Sequence, residues 1–395
     1  MPQLDPSTLT AFENAAAGHD GVLSDPTGAL VIKPCTQQEI AFYESAAAAH
    51  PRFAQYMPTF MGTLSLNGAA GEGSSAEGPT AATLAPSDPG PLKGKKLDTD
   101  TSIVLENAAA GFVRPNVLDL KLGARLWDDG TAEAKRARLD KVAAETTSSS
   151  LGFRIAGMRV WQGDKIEKKE EDTELASVDP ASGYKTFNKL YGRVFTADNV
   201  AQGFRDYLLV PTAGVTPAAA RATVQRLLAD VRGVQAALEA EESRMYSASL
   251  LFVYEGDPAA ARAAEAKLAE KERAELDALQ SATSTGAHGL NEEDDDEVEV
   301  EVEVEVDEHG KMRLVGKDGA VVEGGVDDGQ DLDVQMGEDE DEEEEPKLVT
   351  VKLIDFAHAS WTPGQGPDEN ALRGVRAVVS VLERLERELD GKLQQ

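Results

Sequence analysis

The stretch Arg114-Pro-Asn-Val-Leu-Asp-Leu-Lys-Leu-Gly-Ala-Arg125 sets two opposite charges, Asp119 and Lys121, into an otherwise apolar run. If the run is extended, side chains repeat every two residues and both charges share one face. Burying such a pair costs several kcal/mol unless each member is satisfied. The residues alone therefore admit a structural ion pair or a functional pair in a cleft. Leu353-Ile-Asp-Phe-Ala-His358 bears on the choice, because its apolar strand ends on Asp355. A carboxylate there can meet Mg²⁺ at the mouth of a cleft, as phosphoryl transfer requires. His358, three residues on, is near enough to reach an accepting group. Taken alone, a strand-terminal Asp is commonly a cap, and a lone His is usually structural. Lys33 closes the strand candidate Gly28-Ala-Leu-Val-Ile-Lys33, which follows the turn residues Asp25-Pro-Thr-Gly28. A strand lysine facing a cleft can pair ATP phosphates, although a snorkelling surface lysine is the commoner case. Neither G-x-x-x-x-G-K-[ST] nor G-x-G-x-x-G occurs, so P-loop and Rossmann sites lose their main support.

Outward from these segments the pattern is mixed. Helical composition runs from Gln37 to His50 and from Thr216 to Leu238, with a solvated Ala/Glu/Lys helix over Ala259 to Leu279 and an amphipathic helix over Glu369 to Leu389. Strands are expected over Phe153 to Trp161, Ser249 to Tyr254 and Lys347 to Phe356. Leu66 to Thr101 is rich in Gly, Ala, Ser and Pro and reads as a flexible loop. Ordered sequence resumes at Ser102. A strand-rich first portion followed by a larger mixed one suggests two lobes with a cleft between them.

The net charge of −32 over 395 residues is unevenly distributed. Glu292 to Glu345 holds 26 acidic and 3 basic residues, leaving only −9 on the remaining 341. The chain reads as a near-ordinary domain interrupted by an acidic insert. With Cys35 as the one cysteine, a disulfide and a cysteine-rich zinc site are excluded, and a reducing compartment fits. Met1 to Thr10 lacks the features of a secretory signal, and no run of about 18 apolar residues occurs. A soluble, intracellular protein is expected, with no transmembrane segment.

Together these segments resemble the inositol polyphosphate kinase family. Pro115-Asn-Val-Leu-Asp119-Leu-Lys121-Leu-Gly123 matches the P-x-x-x-D-x-K-x-G signature at every fixed position. Ser249-Leu-Leu and Ile354-Asp-Phe-Ala-His358 match the second and third motifs. Ala17-Gly-His-Asp-Gly21, Phe42-Tyr-Glu44, Val104-Leu-Glu-Asn107, Gly157-Met-Arg-Val160 and Tyr191-Gly-Arg193 agree in order and approximate spacing. The resemblance implies an α+β, two-lobed, protein-kinase-like (ATP-grasp-like) fold interrupted by disordered inserts. The implied layout is a tail over 1–11, an N-lobe over 12–111 with a flexible insert at 67–100, and a C-lobe with the inositol phosphate pocket over 112–280. An acidic disordered insert over 281–346 and a completion of the C-lobe over 347–395 follow. By position Lys33 would hold ATP phosphates, and Glu106 to Ala108 would form the hinge for adenine. Asp119 would contact the ribose, and Lys121 would bridge the transferred phosphate and the acceptor hydroxyl. Asp355, assisted by Ser249, would hold Mg²⁺, and His358 would lie against the inositol hydroxyl. The hinge reads Glu106-Asn107 where some relatives carry Glu-Asp.

A polyanionic acceptor calls for Lys and Arg around it. Lys135, Arg136, Arg138 and Lys141 follow the signature at helical spacing; Lys135 and Arg138 are the leading candidates, with Arg159 and then Arg193 beyond them. The plain alternative for that basic helix is a solvated face. Within the family, homology starting near the N-terminus and an acidic insert before the last motif resemble fungal multikinases, which act on inositol 1,4,5-trisphosphate. A hexakisphosphate kinase is the alternative, and an acidic nuclear scaffold with an inactive kinase-like domain is another. Intact Lys33, Asp119, Lys121, Asp355 and His358 count against the scaffold. The absence of H-R-D-type and glycine-rich loops counts against other kinase classes. Val298 to Val306 alternates Val and Glu, a strand pattern that stacked like charges would oppose. The acidic tract suits basic nuclear proteins, or a mere solvating spacer, and would repel nucleic acid. The resemblance and the tract together suggest the nucleus, the cytoplasm or both.

Overall fold

The computed structural model describes residues 6–12, 16, 21–65, 99, 101–164, 173–286, 302–306, 312–316 and 346–394. All of the loop expected at 67–100 except Thr99, the acidic runs Glu292–Glu297 and Glu338–Glu345, and most of Ala17–Gly21 lie outside them. The chain divides into two compact units, one of Met1–Leu268 with Glu345–Gln395 and one of Ala269–Glu344.

Besides a two-stranded ribbon of Ser243–Met245 with Ala359–Trp361, the first unit contains two antiparallel sheets. The smaller has five strands in the order β1-β2-β3-β5-β4, formed by β1 (Thr10–Ala11), β2 (Leu23–Ser24), β3 (Leu30–Pro34), β4 (Phe60–Ser65) and β5 (Thr101–Glu106). Between β3 and β4 lie α1 (Gln37–Ala49) and the short α2 (Pro51–Ala54). Thr36 starts α1 by accepting the Glu39 N–H on its side chain, which satisfies one of the unpaired donors of the first turn. The helix buries Ile40, Phe42, Tyr43 and Ala46 on one face. That face meets rings from the far end of the chain: Phe42 stacks on Phe356 at 5.0 Å and on Trp361 at 4.6 Å. Tyr43 packs edge-on against Phe356 at 5.3 Å, and His50 stacks on Trp361 at 3.6 Å.

The signature stretch is β6 (Pro115–Leu122), followed by α3 (Glu133–Ala144), α4 (Thr147–Leu151), β7 (Phe153–Trp161), β8 (Ala176–Asp179), β9 (Tyr184–Phe187), α5 (Ala201–Leu208) and α6 (Pro217–Ala240). Next come β10 (Ser243–Met245), β11 (Ser249–Glu255) and α7 (Pro258–Gly286). In the second unit β12 (Val302–Val306) pairs with β13 (Met312–Gly316). Residues 302–306 of the alternating Val-Glu segment thus pair, with a partner strand that is not acidic: the register sets Glu303 opposite Val315 and Glu305 opposite Arg313. The chain closes with β14 (Val349–Ile354), β15 (Ala359–Trp361) and α8 (Glu369–Leu393). The larger sheet runs β14-β11-β6-β7-β9-β8, so the signature strand lies inside it, flanked by both other motif strands within two places.

Residues 115–120 of β6 are all buried, because the strand is covered on both faces. Helices α6 and α8 cover one face with regular apolar stripes, Val224, Leu227, Leu228, Val231 and Val234 on α6 and Leu372, Val375, Val378, Leu382 and Leu385 on α8. Tyr207 fixes α5 to the sheet, donating its buried hydroxyl toward the Asn116 and Phe252 carbonyls at 2.9 and 3.1 Å. The strand expected over Lys347 to Phe356 is shorter, since Asp355 leaves it with φ +68°. Among the described residues no helix is long and apolar enough to cross a membrane.

Candidate active site

The face of β6 turned away from the helices carries Val117, Asp119 and Lys121. Antiparallel pairing with β11 sets Val253, Leu251 and Ser249 directly across from them. Ser249 in turn pairs with Ile354, the last residue of β14, and so brings Asp355 to the same corner. The sequence spacing that put Asp119 and Lys121 on one face is therefore realised, and the strand order adds the other two motifs to it.

Asp355 is the centre of the arrangement. Its Oδ1 lies 2.8 Å from Lys33 Nζ and its Oδ2 lies 2.8 Å from Lys121 Nζ, so one carboxylate joins the lysines of the two sheets. The three side chains are only 16, 15 and 18% exposed for Lys33, Lys121 and Asp355. Burial alone would raise the Asp355 carboxyl, but Lys121 and Lys33 hold it well below the ordinary carboxylate range. Burial likewise opposes the charge on Lys33, and Asp355 and Glu39 more than offset it. Asp355 occupies the left-handed region, uncommon for residues other than Gly although Asp adopts it more readily than most, and such conformations concentrate at functional sites. Asp119 differs: burial pushes its carboxyl up, Lys121 opposes this and Asp355 adds to it.

Sequence reasoning passed over Glu39. Its side chain is buried, with Oε1 taking both Lys33 Nζ at 2.9 Å and the Phe356 N–H at 3.2 Å. It thus ties α1 to the strand lysine and to the turn carrying Asp355. Thr36-x-x-Glu39 reads as a capping box, in which Glu39 would fold back on its own helix; the structure spends it on the cluster instead. Arg154 was also passed over. It stands directly across β7 from Lys121, donates to Ser148 Oγ at 3.1 Å, and is lowered to about 10 chiefly by burial. Arg193 is exposed on the short turn beside it, where Gly192 packs on the Ile155 carbonyl. Arg159 is placed farther off, opposite Val117, with its guanidinium 3.4 Å from the centre of the Tyr184 ring.

The basic residues after the signature are on α3, which buries only Ala143. Lys135, Arg138 and Lys141 are exposed, while Arg136 is committed to the Thr131 carbonyl at 2.6 Å and to the Trp127 ring at 4.6 Å. His358 lies on the turn after Asp355, with Nδ1 2.6 Å from Asp128 Oδ2.

Between the two sheets a cleft is walled by Val22, Val31, Leu105, Val117, Leu251 and Ile354. Lys33, Asp119 and Asp355 stand at one end and Glu106, Asn107 and Ala108 at the other. The Glu106 carboxylate turns outward to Thr59 Oγ1 at 2.8 Å and to Lys347 at 3.6 Å, leaving backbone to face the cleft. Asn107 is a strut: its amide donates to the Gly28 carbonyl at 2.7 Å and its Oδ1 accepts the Ala109 N–H at 2.9 Å. The N–H groups of Glu106 and Asn107 are taken by the Thr59 and Ala29 carbonyls, whereas among the described residues nothing takes the Ala108 N–H. An apolar slot with such an edge at one end and lysines with a carboxylate at the other suits a flat heterocycle carrying phosphates.

The donor set also suits a hard divalent cation. Asp119 and Ser249 are buried together on the face that holds Asp355, with the Ser249 hydroxyl near enough to steady the Asp119 carboxylate. Among the described residues no three His, Cys, Asp or Glu side chains cluster as a full cage. One or two carboxylates with phosphate oxygens completing the shell is the arrangement Mg²⁺ favours.

Comparison with known proteins points the same way. The family model for inositol polyphosphate kinase matches residues 102–383. The chain is 31% identical over 392 residues to an inositol polyphosphate multikinase of Saccharomyces cerevisiae, covering 94% of this chain and 96% of that one. It is 26% identical over 291 residues to human inositol hexakisphosphate kinase 1, covering 72% and 52%. The crystal structure of the S. cerevisiae inositol phosphate multikinase Ipk2 in complex with ADP and Mn²⁺ superposes with a TM-score of 0.55 at 28% identity, covering 90% of this chain and 99% of that one. With the signature pair, the lysine-bridging carboxylate and the nucleotide-shaped cleft in place, the chain belongs to the inositol polyphosphate kinase family and is a phosphotransferase with the kinase-like fold of that family.

Proposed function

We propose that this chain is an inositol polyphosphate multikinase, using Mg-ATP to convert inositol 1,4,5-trisphosphate to tetrakis- and pentakisphosphates. The observation that carries the reading is the Asp355 carboxylate shared by Lys33 and Lys121, 2.8 Å from each. A group so placed can release both lysines to phosphates when it turns to a cation.

Adenine would lie in the apolar slot against the backbone of Glu106 and Ala108, with Asp119 toward the ribose. Lys33 would hold the ATP phosphates, kept in place by Glu39. Asp355 would hold Mg²⁺ with Ser249; the ion, when bound, neutralises charge on the phosphate oxygens. Lys121 would lie between the transferred phosphate and the accepting hydroxyl, and His358 beside that hydroxyl. Exposed Lys135 and Arg138 suit capture of acceptor phosphates from solvent by charge-assisted hydrogen bonds. Arg159, committed to Tyr184, would act at the margin of the pocket. Arg154, across from Lys121, is better placed to line it. The acidic tract would engage basic nuclear proteins, in keeping with a nuclear or cytoplasmic residence.

The test is incubation with Mg-ATP and inositol 1,4,5-trisphosphate, with products resolved by anion exchange beside an Asp355→Ala control. Tetrakis- and pentakisphosphates that vanish in the variant support the reading. A single tetrakisphosphate would mark a 3-kinase. Turnover of inositol hexakisphosphate alone would mark a hexakisphosphate kinase, and no turnover of either would leave the scaffold.

A further inference from the structure

His358 has a partner that no motif contains. Asp128, in the loop between β6 and α3, accepts from the ring at 2.6 Å through Oδ2, and from the Thr131 hydroxyl at 2.7 Å through Oδ1. The Thr131 N–H closes back on the Asp128 carbonyl at 3.1 Å, so the carboxylate sits in a built turn with both oxygens directed. Burial is the largest single influence and opposes its charge, but the bonds from Thr131 and His358 together outweigh it and hold the carboxyl below the usual carboxylate range. His358 is pinned from behind, where its carbonyl accepts the Tyr246 N–H at 3.3 Å.

An ionised carboxylate can only accept, so Nδ1 must carry the hydrogen; in the neutral ring the lone pair then lies on Nε2. Among the described residues nothing hydrogen-bonds Nε2, and the side chain is 36% exposed on the turn that begins at Asp355. We propose that Asp128 is a positioning residue, fixing the His358 tautomer whose Nε2 accepts the hydrogen bond of the inositol hydroxyl. The proposal rests on the reading that His358 faces the acceptor. Its logic is that of the orienting carboxylate behind a catalytic histidine: the carboxylate never touches substrate, yet sets which nitrogen can accept.

Asp128→Asn separates this from a packing role, since the amide fits the same turn but offers an N–H to Nδ1 and so drives the ring hydrogen to Nε2. The full chain, ¹⁵N-labelled at histidine, gives the tautomer directly by NMR. Wild type is expected as the Nδ1–H form and D128N as the Nε2–H form. Turnover of inositol 1,4,5-trisphosphate should fall about 100-fold in kcat with the KM for ATP unchanged. In a His358→Ala background D128N should add nothing, because the two residues act as a unit. A wild-type ring protonated on Nε2 alone, unchanged turnover in D128N, or an equal loss in the His358→Ala background would each overturn the proposal. If wild type phosphorylates no inositol phosphate, the proposed function falls, while the spectrum still decides whether Asp128 sets the tautomer. If D128N unfolds, the wild-type spectrum decides it.

Discussion

Replacing Glu39 with Gln tests the charge cluster where it carries most. In the unliganded protein Lys33 is shared, 2.9 Å from Glu39 and 2.8 Å from Asp355, so loss of one partner leaves the other. Gln retains an acceptor for Lys33 and for the Phe356 N–H, and the cost to folding should be about 1–2 kcal/mol. During turnover the balance changes. If Asp355 turns to Mg²⁺ as proposed, Glu39 would be the remaining counter-charge. At 2.9 Å and an effective dielectric constant of about 20, its attraction for Lys33 is about 6 kcal/mol before desolvation. Desolvation removes much of that, and a charge-assisted bond is worth about 1.5–3 kcal/mol net. Glu39→Gln should therefore lower kcat/KM for ATP by about 10- to 150-fold. Steady-state assays at fixed inositol phosphate, paired with thermal melts, would show it. Glu44→Gln, exposed on the same helix, serves as the silent control. Retention of kcat/KM within three-fold of wild type would refute the reasoning and reduce Glu39 to a packing residue.

Other outcomes follow from the same geometry. Gly123→Ala should cost about 2–4 kcal/mol in urea denaturation, since φ is +91° and a Cβ would meet Asn370 Nδ2 at 2.5 Å. Asn370→Ala should cost about as much, because its amide group holds the Ala124 and Arg125 N–H groups and the Arg125 carbonyl at 2.9–3.0 Å, and so fixes the strand exit just past Lys121. Asp230, pushed up to about 6 by burial, binds its proton more tightly folded than unfolded, so its contribution to stability is present near pH 4 and lost as pH rises through 6. Asp230→Asn should accordingly stabilise the chain by about 1–2 kcal/mol at pH 8, where the ionised carboxylate is penalised, and change little at pH 4. Melts at the two pH values check the sign.

The signature could be read because its information is local. A two-residue spacing within an apolar run places Asp119 and Lys121 on one face of any extended strand, and Ile354-Asp-Phe announces a strand end. What the spacing could not show is that β11 lies between the two motif strands, so that Asp355 meets both lysines. Glu39 was invisible for a related reason: Thr36-x-x-Glu39 is a complete helix start in itself, and only the tertiary fold reveals a second use. Arg154 was masked by register, for the bulge between Asp119 and Leu120 sets Arg154 rather than Ile155 opposite Lys121. Asp128 looked like one acid among several in a polar loop. The pairing of the Val-Glu alternation depended on the partner strand, which local repulsion arguments do not specify.

The ring packing around α1 has a consequence for control. In protein kinases, activity is switched by moving the helix that bears the lysine-binding glutamate, a displacement made cheap by a loosely seated helix. Here that helix presses Phe42 and Tyr43 against Phe356, and Trp361 donates its indole N–H to Ser45 at 2.9 Å. Swinging it outward would strip several aromatic rings of their contacts, at about 0.5–1.5 kcal/mol per ring pair beyond the lost burial. The Lys33–Glu39 ion pair is therefore already assembled in the resting protein, and moving that helix to break it should be costly. Output should follow the supply of nucleotide and acceptor rather than a covalent signal delivered to the enzyme.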